Sequence, residues 1–160
     1  MFKKSINKKY LVDKSKLPDL QNYNFVETTI GYLSQLHDSL SVLVKSTNDM
    51  DFQLILVDEN SKFKKEVIYK ISEDEFNLSI VLAGRKVLNR KIYTVPNSID
   101  PERIMNVIVY YDTELIVCEY EAETEVLIDT LPIEKWFTEE ITNKKEYKNT
   151  FIAINKTFKI

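Results

Sequence analysis

Apolar and polar residues alternate nearly one for one along most of this chain, and that period of two constrains its fold more than any other feature. It is the spacing of strands whose two faces meet different surroundings, and a helix cannot satisfy it. Punctuation is sparse: two glycines and four prolines in 160 residues leave long uninterrupted runs. The runs read as eight strands, at 3–13, 24–34, 39–46, 51–58, 64–71, 87–95, 102–110 and 114–121. That many strands at short spacing suit an antiparallel barrel. One interruption is helical. Ser72-Glu73-Asp74-Glu75 has the Ser-x-x-Glu form of a capping box, Phe76, Ile80 and Ala83 form a single apolar stripe behind it, and Gly84 supplies a left-handed stop, which predicts a helix over 73–83. A second short helix is expected over 123–128, before Pro132, and 147–154 reads as either a terminal helix or a strand. The expected class is therefore α+β, mainly β. No linker or low-complexity stretch divides the chain, so one domain over 1–160 is expected.

Composition narrows the function classes. Hydrophobic residues at 44% and charged residues at 29% are ordinary for a folded, soluble domain. A net charge of -3 argues against general nucleic-acid binding while leaving room for a local basic site. The lone cysteine, Cys118, excludes an internal disulfide and a multi-cysteine zinc cluster, which suits a reducing interior. The lysines at the start are followed by no apolar segment, and no run approaches the ~18 apolar residues of a membrane span, so a cytoplasmic protein without membrane contact is expected. His37, the single histidine, reads as an exposed turn residue at the second hairpin.

The two faces of the strands differ in kind. Leu40, Val42 and Val44 oppose Ser41, Leu43 and Lys45, and Ile116, Cys118 and Tyr120 oppose Val117, Glu119 and Glu121. One face is expected to hold the core, with Cys118 as a small buried hydrophobe. The other carries charge on strands that read as central, as a barrel with a polar interior requires. Trp136-Phe137 reads as a plug over one barrel mouth.

Several motifs in this order resemble one family. Ser5-Ile6-Asn7-Lys8-Lys9-Tyr10-Leu11-Val12, then Leu17-Pro18-Asp19-Leu20, then Gly31-Tyr32-Leu33-Ser34 is similar to the opening of CYTH-domain proteins, the triphosphate tunnel metalloenzymes. Cys118-Glu119-Tyr120-Glu121 resembles the late Glu-x-Glu strand of that family. Trp136-Phe137, Glu139-Glu140-Ile141-Thr142 and Glu146-Tyr147-Lys148-Asn149 resemble its closing signature. The resemblance implies an eight-stranded antiparallel tunnel whose inward basic residues grip a triphosphate and whose inward carboxylates hold Mg²⁺ or Mn²⁺. It also implies hydrolysis of a triphosphate compound or cyclic AMP synthesis. The chemistry needs these residue types because confined phosphate charge must be neutralised and a hard cation takes oxygen ligands.

This chain departs from that pattern at many inward positions. Ser5 and Asn7 stand where the family has its first-strand glutamates, Leu43 where it has an arginine, Val57 a lysine, Ile68 a glutamate, Ile92 an arginine and Asn106 an acid. Lys9, Lys45, Lys64 and Arg90 remain as candidate phosphate ligands, and Glu119, Glu121 and Glu66 as a weak or vestigial metal set. The lysines and Arg90 can serve anion binding or simple charge balance, and the glutamates metal binding or salt bridges to Lys9 and Arg90. Apolar replacements offer a phosphate no compensating hydrogen bond. The leading expectation is a catalytically degenerate tunnel protein that binds a small anion, nucleotide-like or polyphosphate-like, or acts as a regulatory module, with no cofactor required. The alternative is a Mg²⁺- or Mn²⁺-dependent triphosphate hydrolase of the tripolyphosphatase or thiamine-triphosphatase type. A third is a module that binds a protein partner through the outer barrel surface. A lower reading is an RNA-end binder, which no aromatic and basic patch distinguishes.

Overall fold

A computed structural model describes residues 1–37 and 40–155, the side chains of 35–37 excepted. His37, expected in the turn, is instead the last residue of a strand and pairs with Leu40, while the exposure of its side chain lies outside what is described. The elements are β1 (Phe2–Val12), β2 (Phe25–His37), β3 (Leu40–Thr47), β4 (Asp51–Asp58), β5 (Lys64–Lys70), α1 (Glu73–Ala83), β6 (Val87–Pro96), β7 (Ile104–Tyr110), β8 (Ile116–Ala122), α2 (Glu125–Asp129), β9 (Phe137–Glu140) and α3 (Asn149–Asn155). Strands pair antiparallel in the order β5-β4-β3-β2-β6-β7-β8-β1, and β1 returns to β5 through Phe2–Ser5 against Lys64–Val67, which closes an eight-stranded barrel. The expected fold class is the observed one.

Helix α1 starts at the predicted capping box, with Ser72 Oγ accepting from the Glu75 amide and the Glu75 carboxylate accepting from the Ser72 amide. It ends at Gly84, whose φ of 61° costs a glycine little. The helix lies so close to β2 that a Cβ on Gly31 would stand 2.6 Å from Ile80 Cδ1 and 3.0 Å from Ala83 Cβ. Glycine there permits the contact.

The expectation of one core face is corrected: apolar burial is divided between the inside and the outside of the barrel. The inner cluster joins Ile30, Tyr32, Leu43, Ile55, Leu88, Ile108, Tyr110 and Val117 to Ile152 and Ala153 of α3. The outer cluster packs Ile6, Tyr10, Met105, Val107, Cys118 and Tyr120 against Ile128, Leu131 and Trp136. Each large aliphatic side chain buried this way contributes ~1.5–3 kcal/mol. Trp136 is thus no mouth plug but an outer-wall residue, because its neighbours are the outward members of β1, β7 and β8. Helix α3, rather than a strand, floors the barrel in its place. The ninth strand was not expected. Phe137-Thr138-Glu139-Glu140 shows no alternation and pairs with Tyr10 and Val12, beyond the point where β1 has left β5.

Candidate functional site

Alternation sends Lys9, Lys45, Lys64, Arg90, Glu66, Glu119 and Glu121 into one tunnel, a cavity of about 220 Å³. Leu43, Val57, Ile68, Ile92 and Asn106 line the same space, so the inward register read from the sequence through β4 to β7 holds. Among the described lining residues six cations (Lys3, Lys9, Lys45, Lys64, Arg90 and Lys148) face four carboxylates (Glu59, Glu66, Glu119 and Glu121). The excess is positive, but it is unevenly placed.

On the wall built by β5, β1 and β8 the charges neutralise one another. Lys9 lies opposite Glu119 in the ladder and its Nζ is 3.5 Å from that carboxylate. Lys64 bridges Glu66 and Glu121 at 3.5 Å each, and Lys3 approaches Glu121 at 2.5 Å. Burial pushes the Glu119 carboxyl up, but the Lys9, Lys64 and Arg90 charges together outweigh it and hold the group below the ordinary carboxylate range. Burial likewise pulls Lys64 down, while Glu119, Glu66, Glu121 and Glu59 together hold it above the ordinary lysine value. Both shifts favour the charged, paired forms.

The opposite wall is built differently. Lys45 on β3 pairs across to Ile30, and Arg90 on β6 pairs across to Thr28, so the two cations flank β2. Arg90 is 8% exposed, and its Nε donates to Thr28 Oγ1 at 3.3 Å. Among the described residues no carboxylate lies within ion-pair distance of Lys45 or Arg90. Burial first, and the Arg90 charge second, hold the Lys45 amine below the ordinary lysine range. Two cations kept close together in a partly apolar setting cost free energy that an arriving anion would return.

The donor set fits a divalent cation poorly. Of the four tunnel carboxylates, Glu66, Glu119 and Glu121 each already face a lysine ammonium at 2.5 to 3.5 Å, and the fourth, Glu59, stands apart from them in the loop after β4. The described residues bring no three of them into a metal-holding cluster. Glutamates at positions 5 and 7 would have enlarged the set. In their place Ser5 is 3% exposed with its Oγ unpartnered among the described residues, and Asn7 faces the tunnel uncharged.

Sequence reasoning missed Lys3, Glu59, Lys148, Asn149 and Thr150. Lys3 was findable, being three alternations before Lys9 on the same face. The others come from a loop and from the start of α3, where no period exists to follow. Tyr110 Oη donates to Asn149 Oδ1 at 2.8 Å, which seats that start on the tunnel floor. A second cavity, about 230 Å³, shares Asn7, Glu59, Lys64 and Lys148 with the first. It opens where β1, among the described residues, has no strand partner on its β5 side from Ile6 to Lys8, before the Lys9 amide donates to Thr142 Oγ1 and the Lys9 carbonyl accepts from the Ile141 amide.

No family model matches the sequence, and no curated protein matches it. Among solved structures the chain is similar to the inorganic triphosphatase NE1496, with 22% identity, 94% of each chain covered and a TM-score of 0.69. It is also similar to a protein from Bacillus halodurans described as a candidate adenylate cyclase (13% identity, 98% of this chain and 90% of that one, TM-score 0.57). A third is the Hippeastrum protein HpAC1, an adenylyl cyclase candidate described as having a dominant triphosphatase activity (10% identity, 81% and 83%, TM-score 0.52). These likenesses establish the triphosphate tunnel fold. No helix among the described residues is long and apolar enough to cross a membrane.

Proposed function

We propose that the tunnel is a metal-independent binding site for a small phosphate-bearing anion, nucleotide-like or polyphosphate-like, in a catalytically degenerate cytoplasmic module. The observation that carries this reading is the pair Lys45 and Arg90, directed into the cavity with no carboxylate at ion-pair distance among the described residues. Charge-assisted hydrogen bonds from these groups are the strong kind. Ile68, Val57 and Ile92 beside them give a flat or apolar portion of the ligand a wall to lie on. The two adjoining cavities together fall within the ~300–1,000 Å³ of ordinary small-molecule sites. Calorimetric titration with ATP and with tripolyphosphate, in chelator and in Mg²⁺, tests the reading. Binding that persists in chelator is expected, and absence of binding by either compound in chelator overturns it.

A second reading is a Mg²⁺- or Mn²⁺-dependent hydrolase of a triphosphate compound. It is favoured by the likeness to a structure described as an inorganic triphosphatase and by Glu119 and Glu121, one alternation apart on β8. It requires Lys3, Lys9 and Lys64 to release the carboxylates they hold. A metal there would polarise a phosphoryl oxygen. Phosphate release that depends on Mn²⁺ and disappears in Glu119→Ala would establish this reading and displace the first.

A further inference from the structure

Helix α1 has two apolar faces, and the barrel uses only one. Phe76, Ile80 and Ala83 turn toward the sheet, while Leu78, Val81 and Leu82, spaced i, i+3 and i+4, are 67%, 74% and 74% exposed. A single exposed leucine is ordinary, but three large aliphatic residues on successive turns of an 11-residue helix make a patch. The charges at its ends are opposite in sign. Glu73 and Asp74 stand in the first turn, and Arg85 and Lys86 directly follow Gly84. Among the described residues none of these four has an ion pair within the chain.

We propose that this face is a self-association surface on which α1 of a second copy of this chain docks antiparallel across a two-fold axis. Reversing the helix sets Leu78 against Val81 of the second copy and Val81 against its Leu78, with Leu82 closing the flank. The same operation sets the acidic first turn of each copy against Arg85 and Lys86 of the other. The patch is its own complement in this arrangement, as a two-fold interface requires. Parallel docking would stack acid on acid and align the two helix dipoles. The helix is only ~16 Å long, so the contact buries less than the ~800 Å² per partner of a standard interface. The dimer is accordingly weak, populated at high protein concentration and weakened by salt.

Sedimentation of the full chain from micromolar to near-millimolar concentration tests this. The weight-average mass is expected to rise toward twice the monomer, and Leu78→Glu to raise the dissociation constant about tenfold or more, ~1.4 kcal/mol. Asp74→Arg and Arg85→Asp are each expected to weaken association, and mixing these two variant chains to restore it, because each supplies the charge the other has lost. All three positions are exposed, so matching melting curves are expected. The mixing result is independent of them. A monomer at every concentration, a dimer indifferent to Leu78→Glu, or variants that fail to recover on mixing would each overturn the proposal.

Discussion

The two walls of the tunnel solve the problem of inward charge in opposite ways. On β5, β1 and β8 every tunnel glutamate has a lysine at ion-pair distance, and the group is nearly self-sufficient. On β2, β3 and β6, Lys45 and Arg90 stand beside Ile30, Leu43 and Ile92 without a carboxylate at that distance among the described residues. Paired charges add structure and offer a ligand little, since any anion must displace a partner already in place. Unpaired cations lower the stability of the empty barrel and offer their whole electrostatic gain to what enters. On the proposed reading, the difference gives stability to one wall and anion binding to the other.

The largest effect should come from emptying the binding wall. Lys45→Ala combined with Arg90→Ala removes charge-assisted hydrogen bonds of about 1.5–3 kcal/mol each, so affinity for ATP or tripolyphosphate should fall by about 100-fold or more in calorimetry. Urea denaturation of the same double variant should show stability unchanged or increased, because buried like charges have been removed. A loss of stability with no loss of affinity would reverse the assignment of the two walls.

Next in size is Lys64→Ala, which leaves Glu66 and Glu121 without their shared partner. These side chains are 22%, 13% and 21% exposed, so water screens part of the penalty. A destabilisation of about 1–3 kcal/mol is expected in urea. Anion affinity should change far less than in the Lys45 and Arg90 variant.

The acid limb of stability gives a smaller signal from the same wall. Glu119 has its folded value lowered, so its contribution is present above the ordinary glutamate value of ~4.3 and is lost as pH falls through the lower folded value. Glu119→Gln should be less stable than wild type at neutral pH and should lose less on acidification, which a pH series of melting curves would show.

The smallest effect separates the walls by pH. Lys45 has its folded value lowered. Its positive charge is therefore lost as pH rises, starting below the ~10.4 of a free lysine. Anion affinity should decline in that alkaline range, and Lys45→Arg, which keeps its charge, should move the decline upward. A pH series of binding constants checks both.

Much of this was legible because a period of two, once fixed by one residue, fixes its whole strand. Lys45 and Leu43 point inward together, and so do Glu119, Glu121 and Val117, as the alternation required. The boundaries 73–83 were readable for a local reason, the capping box at one end and Gly84 at the other. Contributions from irregular segments were not legible. Trp136 and Phe137 carry no periodicity that says which wall they meet, and α3 is too short to announce that Ile152 and Ala153 enter the barrel. Pairing was also hidden. The sequence placed Lys9, Lys45, Lys64 and Arg90 on one inner surface, but which of them meets a carboxylate depends on cross-strand register and on barrel closure through Ser5 and Lys64.

The most direct test of the two-wall account is where an anion sits. A crystal of the protein soaked in bromide with chelator, and a second soaked in Mn²⁺ with tripolyphosphate, would locate both partners by anomalous scattering. The account predicts bromide between Lys45 and Arg90, with the Lys9–Glu119 and Lys64–Glu121 pairs intact, and no manganese in the tunnel. Manganese on Glu119 and Glu121, with the lysines displaced onto the phosphate chain, would contradict it.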